Sequence, residues 1–399
     1  MGSTNGMEKE KGINGKRKGN KKKQGKVAMI GHKRIPSREG GVEIVVDELS
    51  TRLAARGWQV DAYNRSGYHV SGKEYDEKRG KSYRGVRLIT IPTFQNKKLN
   101  AIVYSFLATL RALFGRYDVI HYHAEGPCVM LWIPKLFGVR VIATVHGLDW
   151  QRSKWGNFAS YILKLGEKVA ARYADEIIVL SKNVQDYFAE TYKRTTVYIP
   201  NGVNLPEKYG ADIIREKYGL EEDGYILFVA RIVPEKGIHY LIDAFYKIHT
   251  DKKLVIAGGS SHSPEYRDKI RAMAKKDGRI VLTGFVQGRE LAELYSNAAV
   301  FVLPSDVEGM AISLLEAMSY GNCCLVSDIE ENTEVTLDKA ETFRRGDVKD
   351  LRKKLVYLLE NNEIREKYKQ NSQSYICGKY SWDEVVQRTV DLYGKQGRK

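Results

Sequence analysis

The chain has 399 residues, of which 43% are apolar and 10% aromatic, so it can form two domains with separate cores. Its four cysteines form no Cys-x-x-Cys pair, which favours a reducing compartment and excludes a disulfide-stapled secreted domain. The sequence opens without a signal peptide, and its longest uncharged apolar stretch, residues 99–110, is too short to span a bilayer. We therefore expect a cytoplasmic protein.

The net charge of +16 is unevenly distributed. Residues 1–25 carry +6, residues 26–200 carry +11, and residues 201–399 carry −1. The first segment is rich in Lys, Gly and Asn and has no apolar periodicity, so residues 1–25 are predicted to be a disordered basic tail. The basic bias of the following half fits nucleic acid, an anionic membrane surface or solubility alone, and charge does not separate these three.

Strands and helices alternate along the rest of the chain, as is typical of parallel βαβ construction. In the first half we predict strands at 26–31, 58–64, 86–91, 118–124, 140–146, 176–181 and 196–199, with helices at 42–56, 99–114, 155–173 and 182–192. After a turn-rich pause at 200–203, we predict strands at 225–230, 253–257, 279–283, 300–303 and 323–326, and helices at 238–249, 265–276, 289–296, 348–361, 364–375 and 382–393.

This alternation predicts an α/β fold with two doubly wound parallel-sheet halves that join near residue 205. Ligands of such sheets collect at the carboxyl ends of the strands. A cleft between two facing halves is therefore the expected active site.

Glycine and histidine mark two strand ends in the first half. Gly40 and Gly41 open the first helix, where they would let a phosphate approach the backbone and the helix N-terminus. His146 emerges at the tip of the fifth strand, where it would hydrogen-bond a sugar hydroxyl or stabilise developing charge, with an ordinary loop histidine as the alternative. His121 and His123 alternate along the fourth strand and are interpreted as structural.

The strand predicted at 225–230 ends in two cations, Arg231 and Lys236. An arginine offers a planar fork for phosphate oxygens, and a lysine adds a mobile point charge. The alternative is a pair of solvated loop charges.

Two glutamates, Glu308 and Glu316, lie eight residues apart after the buried strand at 300–303. A helix beginning near Gly309 would place Glu316 about two turns along it, with free backbone N–H groups at its start. Such a surface offers donors for a diphosphate, one carboxylate for ribose hydroxyls and one for a sugar ring. An ordinary surface helix is the alternative. The amides concerned belong to Gly309, Met310, Ala311 and Ile312.

Several motifs are absent from the sequence. There is no Asp-x-Asp to hold a divalent cation beneath a diphosphate, so positive side chains and helix dipoles would neutralise the leaving group. The sequence also lacks a P-loop, a Gly-x-Gly-x-x-Gly after the first strand, a Gly-x-Ser-x-Gly elbow and a zinc-like Cys/His cluster. We expect no metal and no other cofactor.

Residues 26–394 resemble glycosyltransferase family 4, retaining enzymes with the two-Rossmann-domain fold called GT-B. The resemblance rests on four segments: 231–237, 308–318, 200–203 and 380–382. It implies an acceptor-side domain at 26–205, a donor-nucleotide domain at 206–379, and a C-terminal helix at 380–399 that crosses back to the first domain.

The resemblance also implies residue roles. Arg231 and Lys236 would bind the donor diphosphate, Glu316 the ribose hydroxyls, and Glu308 the transferred sugar. His146 would lie near the reacting face of the sugar. Backbone amides would hold phosphate and sugar oxygens at Gly40, Gly41, Gly309, Met310, Ala311 and Ile312. Two alanines stand where many members have glycine, at positions 230 and 311, which implies an altered donor fit.

The segment 35–49 looks like a subgroup that includes rhamnosyltransferases of bacterial capsule and exopolysaccharide assembly. We therefore expect a hexosyltransferase that moves a sugar from a nucleotide-diphosphate donor to a hydroxyl acceptor with retention of configuration. The leaving diphosphate would help deprotonate the acceptor on the same face, since no carboxylate is clearly placed as a nucleophile.

The apolar helix predicted at 99–114 has Lys97 and Lys98 before it, with Arg111 and Arg116 near its end. These features fit docking on the cytoplasmic face of an anionic inner membrane, with a lipid-linked saccharide as acceptor. A core helix with ordinary basic flanks is the alternative.

Two other functions fit parts of the sequence. A nucleotide-sugar epimerase or a phosphorylase also uses two facing Rossmann domains. A nucleic-acid-binding protein would use the +16 charge, but the basic residues accompany no reading helix or aromatic platform, so we expect no nucleic-acid partner.

Overall fold

The computed structural model describes residues 24–66, 80–93, 100–151, 157–259 and 263–394. The predicted basic tail falls outside these residues except for its last two positions, and Lys97 and Lys98 also fall outside them. The described chain contains two largely parallel sheets, each flanked by helices. We call the part of the chain around the first sheet the first lobe and the part around the second sheet the second lobe.

The first sheet has eight strands, and most of their residues are buried, as expected when helices cover both faces. The strands are β1 (Lys26–Ile30), β2 (Gln59–Arg65), β3 (Ser82–Tyr83), β4 (Val86–Ile91), β5 (Val119–His123), β6 (Arg140–Val145), β7 (Glu176–Val179) and β8 (Val197–Tyr198). Their order is β3-β4-β2-β1-β5-β6-β7-β8, and β3 alone is antiparallel to its neighbour.

The α-helices of the first lobe, within the described residues, are α1 (Gly41–Ala55), α2 (Asn100–Leu113), α3 (Glu125–Cys128), α4 (Trp132–Leu136), α5 (Asn157–Tyr173) and α6 (Lys182–Tyr192). Apolar residues of α1, such as Leu49 and Leu53, pack on one face of the sheet. Ala108 of α2, Ala170 of α5 and Phe188 of α6 pack in a separate core on the other face.

The second sheet has six parallel strands in the order β11-β10-β9-β12-β13-β14. These strands are β9 (Tyr225–Val229), β10 (Lys253–Ala257), β11 (Ile280–Gly284), β12 (Val300–Leu303), β13 (Cys324–Ser327) and β14 (Glu341–Phe343). The remaining helices are α7 (Ile213–Tyr218), α8 (Ile238–Phe245), α9 (Pro264–Ala274), α10 (Gly288–Ser296), α11 (Ile312–Ser319), α12 (Glu330–Thr336), α13 (Val348–Glu360), α14 (Asn362–Lys379) and α15 (Trp382–Gly394).

The last helix belongs to the end of the chain but packs on the first lobe. Its Asp383 pairs at 3.2 Å with Arg56, the residue after α1, and the ring of Tyr393 lies 5.2 Å from that of Trp58. Val203 forms a parallel bridge with Ser381 beside it. The predicted boundaries at 205 and 379 remain predictions.

The fold is the predicted α/β arrangement of two doubly wound sheets. The elements that the sequence did not predict are short or irregular: β3, α3, α4, α7, α12 and β14. They have too few residues for a periodic pattern to develop. The helix that carries Glu316 begins at Ile312, so the predicted start near Gly309 is wrong.

Candidate functional site

The strongest candidate site lies where the strand order of the second sheet reverses. Strands β9 and β12 are neighbours, and the sheet grows in opposite directions from them, so the loops that follow them meet at the same edge. Gly237, in the loop after β9, has a φ of +65°, and a Cβ there would lie 1.9 Å from the Pro304 carbonyl oxygen. Only glycine allows these two loops to approach so closely.

These two loops bring the predicted cation and carboxylate together. The Lys236 ammonium forms an ion pair with the Glu308 carboxylate, and their side chains are only 11% and 6% exposed. The backbone N–H of Asp306 also donates to the Glu235 carbonyl at 2.9 Å. The site therefore holds a buried, nearly neutral pair whose lysine can exchange one anionic partner for another.

The loop before α11 stays extended for longer than predicted. Ala311 is the residue before the helix and has extended backbone. Asn201 accounts for part of this extended backbone. Its side-chain amide donates to the Met310 carbonyl at 3.3 Å, and this hydrogen bond anchors Met310 to the first lobe. Glu316 consequently lies little more than one turn into the helix instead of two.

Glu316, the predicted ribose ligand, is held by an arginine that the sequence analysis did not single out. Arg38, in the loop after β1, forms an ion pair with Glu316 across the junction between the lobes, and that carboxylate raises the pKa of Arg38. The Tyr295 hydroxyl donates to the other oxygen of Glu316 at 3.2 Å. The position of Arg38 two residues before Gly40 was the signal that could have identified it.

The two predicted helix N-termini face each other across this junction. Gly40 precedes α1 and Gly41 begins it. A Cβ on Gly41 would lie 3.8 Å from Cγ1 of Ile312, the first residue of α11. Both helices direct their N-terminal partial positive charge toward the same region, which suits an anion.

Arg231 lies near a carboxylate of the first lobe. Burial favours a higher pKa for Glu43, but the positive charges of Lys33 and Arg231 and the Lys33 backbone N–H hold that pKa below its ordinary value. The N–H of Lys33 donates to Glu43 at 3.0 Å. The cation predicted to bind phosphate therefore already faces an anionic group from the opposite lobe.

His146 lies at the same junction, largely buried at 8% exposure. A Cβ on Gly309 would lie 1.7 Å from the His146 carbonyl oxygen, so the two backbones touch. The Nε2 atom of His146 lies 3.2 Å from Nδ1 of His123. His123 thus contacts a predicted site residue, a contact that its interpretation as structural did not anticipate.

The described parts of the chain contain no group of three or more His, Cys, Asp or Glu side chains that could hold a metal ion. Independence from metal therefore stays a prediction. Within the same parts, no helix is both long and apolar enough to cross a membrane.

Comparisons with known families cover nearly all of both lobes. Residues 39–207 match the family described as Glycosyltransferase Family 4, and residues 211–375 match the family described as Glycosyl transferases group 1. An uncharacterized glycosyltransferase of Methanocaldococcus jannaschii is 27% identical and covers 92% of this chain and 97% of its own. A phosphatidyl-myo-inositol mannosyltransferase of Mycobacterium leprae is 25% identical, with 89% and 92% covered.

Solved structures share the fold. A sucrose-phosphate synthase of Thermosynechococcus elongatus has a TM-score of 0.80 at 23% identity and covers 92% of this chain and 98% of its own. The Anabaena protein HepE, in complex with UDP and glucose, has a TM-score of 0.76 at 15% identity, with 92% and 99% covered. From the matches to both lobes, the paired sheets and these likenesses, we conclude that the chain is an enzyme of glycosyltransferase family 4 with the GT-B fold.

Proposed function

We propose that this glycosyltransferase takes its sugar from a nucleoside-diphosphate donor bound where the loops after β9 and β12 meet. The observation that carries the proposal is the buried pair of Lys236 and Glu308, which lies at the reversal point of the sheet beside the start of α11. The Anabaena protein HepE, which has a similar fold and was solved in complex with UDP and glucose, supports this class of donor.

The donor would exchange existing contacts for new ones. Its diphosphate would replace Glu43 as the anionic neighbour of Arg231 and draw the Lys236 ammonium from Glu308. Its ribose hydroxyls would replace the Arg38 guanidinium on Glu316. Glu308, freed from Lys236, would then accept hydrogen bonds from hydroxyls of the transferred sugar. The charged groups that would stabilise the donor are therefore already present at the site before the donor binds.

Transfer would proceed as the bond between the sugar and the diphosphate stretches and negative charge grows on the leaving oxygen. Arg231, Lys236 and the N-termini of α1 and α11 would stabilise this charge where it forms. The leaving oxygen would take the proton of the acceptor hydroxyl on the same face, which retains the anomeric configuration. His146 would hydrogen-bond the sugar, and no metal ion would be required.

A donor panel tests this proposal. Thermal shifts with UDP-, GDP- and dTDP-sugars should identify at least one stabilising donor, and EDTA should leave turnover unchanged. Loss of activity on EDTA treatment that manganese restores would contradict the metal-free mechanism. Conversion of the donor in the absence of any acceptor would indicate an epimerase instead.

We further propose that the acceptor is a lipid-linked saccharide of bacterial capsule or exopolysaccharide assembly, as the resemblance of residues 35–49 to rhamnosyltransferases suggests. The phosphatidyl-myo-inositol mannosyltransferase of Mycobacterium leprae is a relative named for a lipid acceptor. The donor sugar that the named relatives use varies, so transfer of rhamnose is tested by including dTDP-rhamnose in the donor panel.

Docking on an anionic membrane would use the first lobe. Helix α2 packs its face with Tyr104 and Ala108 into the core, so the predicted apolar helix is in part an ordinary core helix. The proposed docking surface instead uses exposed apolar side chains at or just after the ends of α2 and α4, which precede the neighbouring strands β5 and β6. These side chains are Phe114, Leu136 and Phe137. Exposed Arg111 and Arg116 lie beside Phe114 in the chain, which favours an anionic leaflet over a neutral partner.

Vesicle sedimentation tests this surface. The protein should sediment with anionic vesicles more than with neutral ones, and the Phe114→Ser/Phe137→Ser variant should lose that preference. Leu205→Ser removes an equally exposed apolar side chain elsewhere, at 73% exposure, and should sediment like the unmodified protein. Equal sedimentation with neutral and anionic vesicles would rule the membrane proposal out.

A further inference from the structure

Three histidine rings form a row between the core of the first lobe and the junction with the second lobe. His121 and His123 lie on the same face of β5, and their rings stack at 4.2 Å. His146 follows the neighbouring strand β6, and its Nε2 lies 3.2 Å from Nδ1 of His123. The first two rings are completely buried.

Hydrogen bonds fix the innermost ring. Nδ1 of His121 lies 2.7 Å from the Tyr393 hydroxyl, and its Nε2 lies 2.7 Å from the Thr144 hydroxyl. His123 is therefore stacked against a ring that cannot rotate without losing two hydrogen bonds. Since His123 is enclosed on all sides, its own orientation is fixed as well.

Burial determines the protonation of His123. It lowers the pKa of His121 to about 3 and holds the pKa of His123 well below its ordinary value. Both rings are therefore neutral near pH 7, and each has one N–H group.

The partners of His123 determine which nitrogen carries that hydrogen. Within the part of the chain that the structure describes, its Nε2 is buried without a hydrogen-bond partner. A proton on Nε2 would leave a buried donor unsatisfied, which is rarer in proteins than an unsatisfied acceptor. The proton therefore lies on Nδ1 and is donated to Nε2 of His146.

We propose that His123 is a positioning residue that fixes the tautomer and ring orientation of His146 in the sugar-transfer reaction. His146 Nε2 accepts the hydrogen bond, so the N–H donor of its ring is at Nδ1. The backbone of His146 touches Gly309 of the second lobe, so the ring is held where the lobes meet. The catalytic part of this inference rests on the proposed function, whereas the tautomer does not.

The tautomer can be measured without any substrate. Nitrogen-15 histidine spectra of the full chain, assigned with His146→Gln, should show a proton on Nδ1 and none on Nε2 of His146. A proton on Nε2 of His146 would overturn the inference, whatever reaction the enzyme catalyses.

Variants test the effect on turnover. His123→Phe keeps an aromatic ring but removes the donor, and should lower kcat about tenfold, as for one lost hydrogen bond, with KM for the donor within about threefold. His123→Asn places an amide N–H near the Nδ1 position and should restore most of kcat.

Tyr393→Phe is the matched control, because it removes one equally buried hydrogen bond to His121 but keeps the aromatic ring, the His121 bond to Thr144 and the contact of His146. Its kcat should equal that of the unmodified protein. Equal losses in His123→Phe and Tyr393→Phe would show a structural role only and would overturn the inference. An unchanged kcat in His123→Phe would also overturn it.

Discussion

The two lobes place their charged and apolar groups differently. At the site in the second lobe, Lys236 and Glu308 are buried and paired, and Glu316 is neutralised by Arg38. The first lobe instead carries the basic surplus of the chain and seven of the ten large apolar side chains that are exposed in the described residues. The difference suits a second lobe that binds a ligand through paired, buried charges, and a first lobe that exposes basic and apolar side chains to a partner.

The largest expected effect comes from removing Arg231, the cation of the second lobe that we propose to bind phosphate. Arg231→Ala should lower kcat/KM about 10²- to 10³-fold, because a charge proposed to stabilise the transition state is lost. Steady-state assays and thermal unfolding would measure it, and the melting temperature should stay nearly unchanged.

Arg215→Ala is the control for this prediction. Arg215 is an exposed arginine of the same lobe that pairs with Glu221 at 2.8 Å. Its removal should leave turnover intact. Equal activity losses in the two variants would show that Arg231 has no special role in the reaction.

The next largest expected effect is the loss of stability when the ion pair of Lys236 and Glu308 is broken. Lys236→Met should destabilise the protein by about 3 kcal/mol, because the Glu308 carboxylate is left buried without its cation. Lys236→Met/Glu308→Gln should regain much of this loss, since neither charge remains. Urea unfolding would measure both, and a double variant no more stable than the single one would contradict the pairing.

A buried carboxylate of the first lobe gives the contrasting case. The Glu167 side chain is completely buried, and this burial raises its pKa from 4.5 to about 7. A raised pKa means that the folded protein binds the proton more tightly. Stability is therefore lost as the pH rises from 4.5 through 7.

Glu167→Gln should consequently stabilise the protein by about 2 kcal/mol at pH 8 and change its stability little at pH 5. Glu190→Gln on the exposed side of α6 should have no effect at either pH. Chemical denaturation at the two pH values decides, and a stabilisation independent of pH would contradict the assignment.

The smallest expected effect concerns the contact between the lobes. Arg38→Gln removes the guanidinium that pairs with Glu316 and that the ribose would have to displace in the donor complex we propose. Because the Arg38 side chain is 39% exposed, water weakens the pair, and affinity for a nucleoside diphosphate should rise only about two- to fivefold. Weaker binding in this variant would show that Arg38 contributes to donor binding instead.

Sequence reasoning was most successful where chemistry and secondary structure coincide. Arg231 and Lys236 follow a buried strand, and Glu308 follows another, so parallel topology alone brings them to one edge. The ion pair of Lys236 with Glu308 was not predicted, because pairing depends on how closely two loops approach. Here that approach depends on Gly237, whose role appears only in three dimensions.

Contacts between the lobes could not be predicted from periodicity. Arg38 and Glu316 are 278 residues apart, and no local pattern links them. The start of α11 was placed too early because local sequence does not show that Asn201 anchors Met310. His123 was interpreted as structural from its alternation with His121, and it is buried, but the alternating strand pattern does not show its contact with His146.

Calorimetric titration with UDP, GDP and dTDP tests the central claim most directly, namely that a diphosphate binds at the strand ends of the second lobe. At least one nucleotide should bind with measurable heat in the presence of EDTA, and Arg231→Ala should weaken that binding at least tenfold, a loss of about 1.4 kcal/mol. No heat with any nucleotide, or equal affinity in Arg231→Ala, would contradict the account.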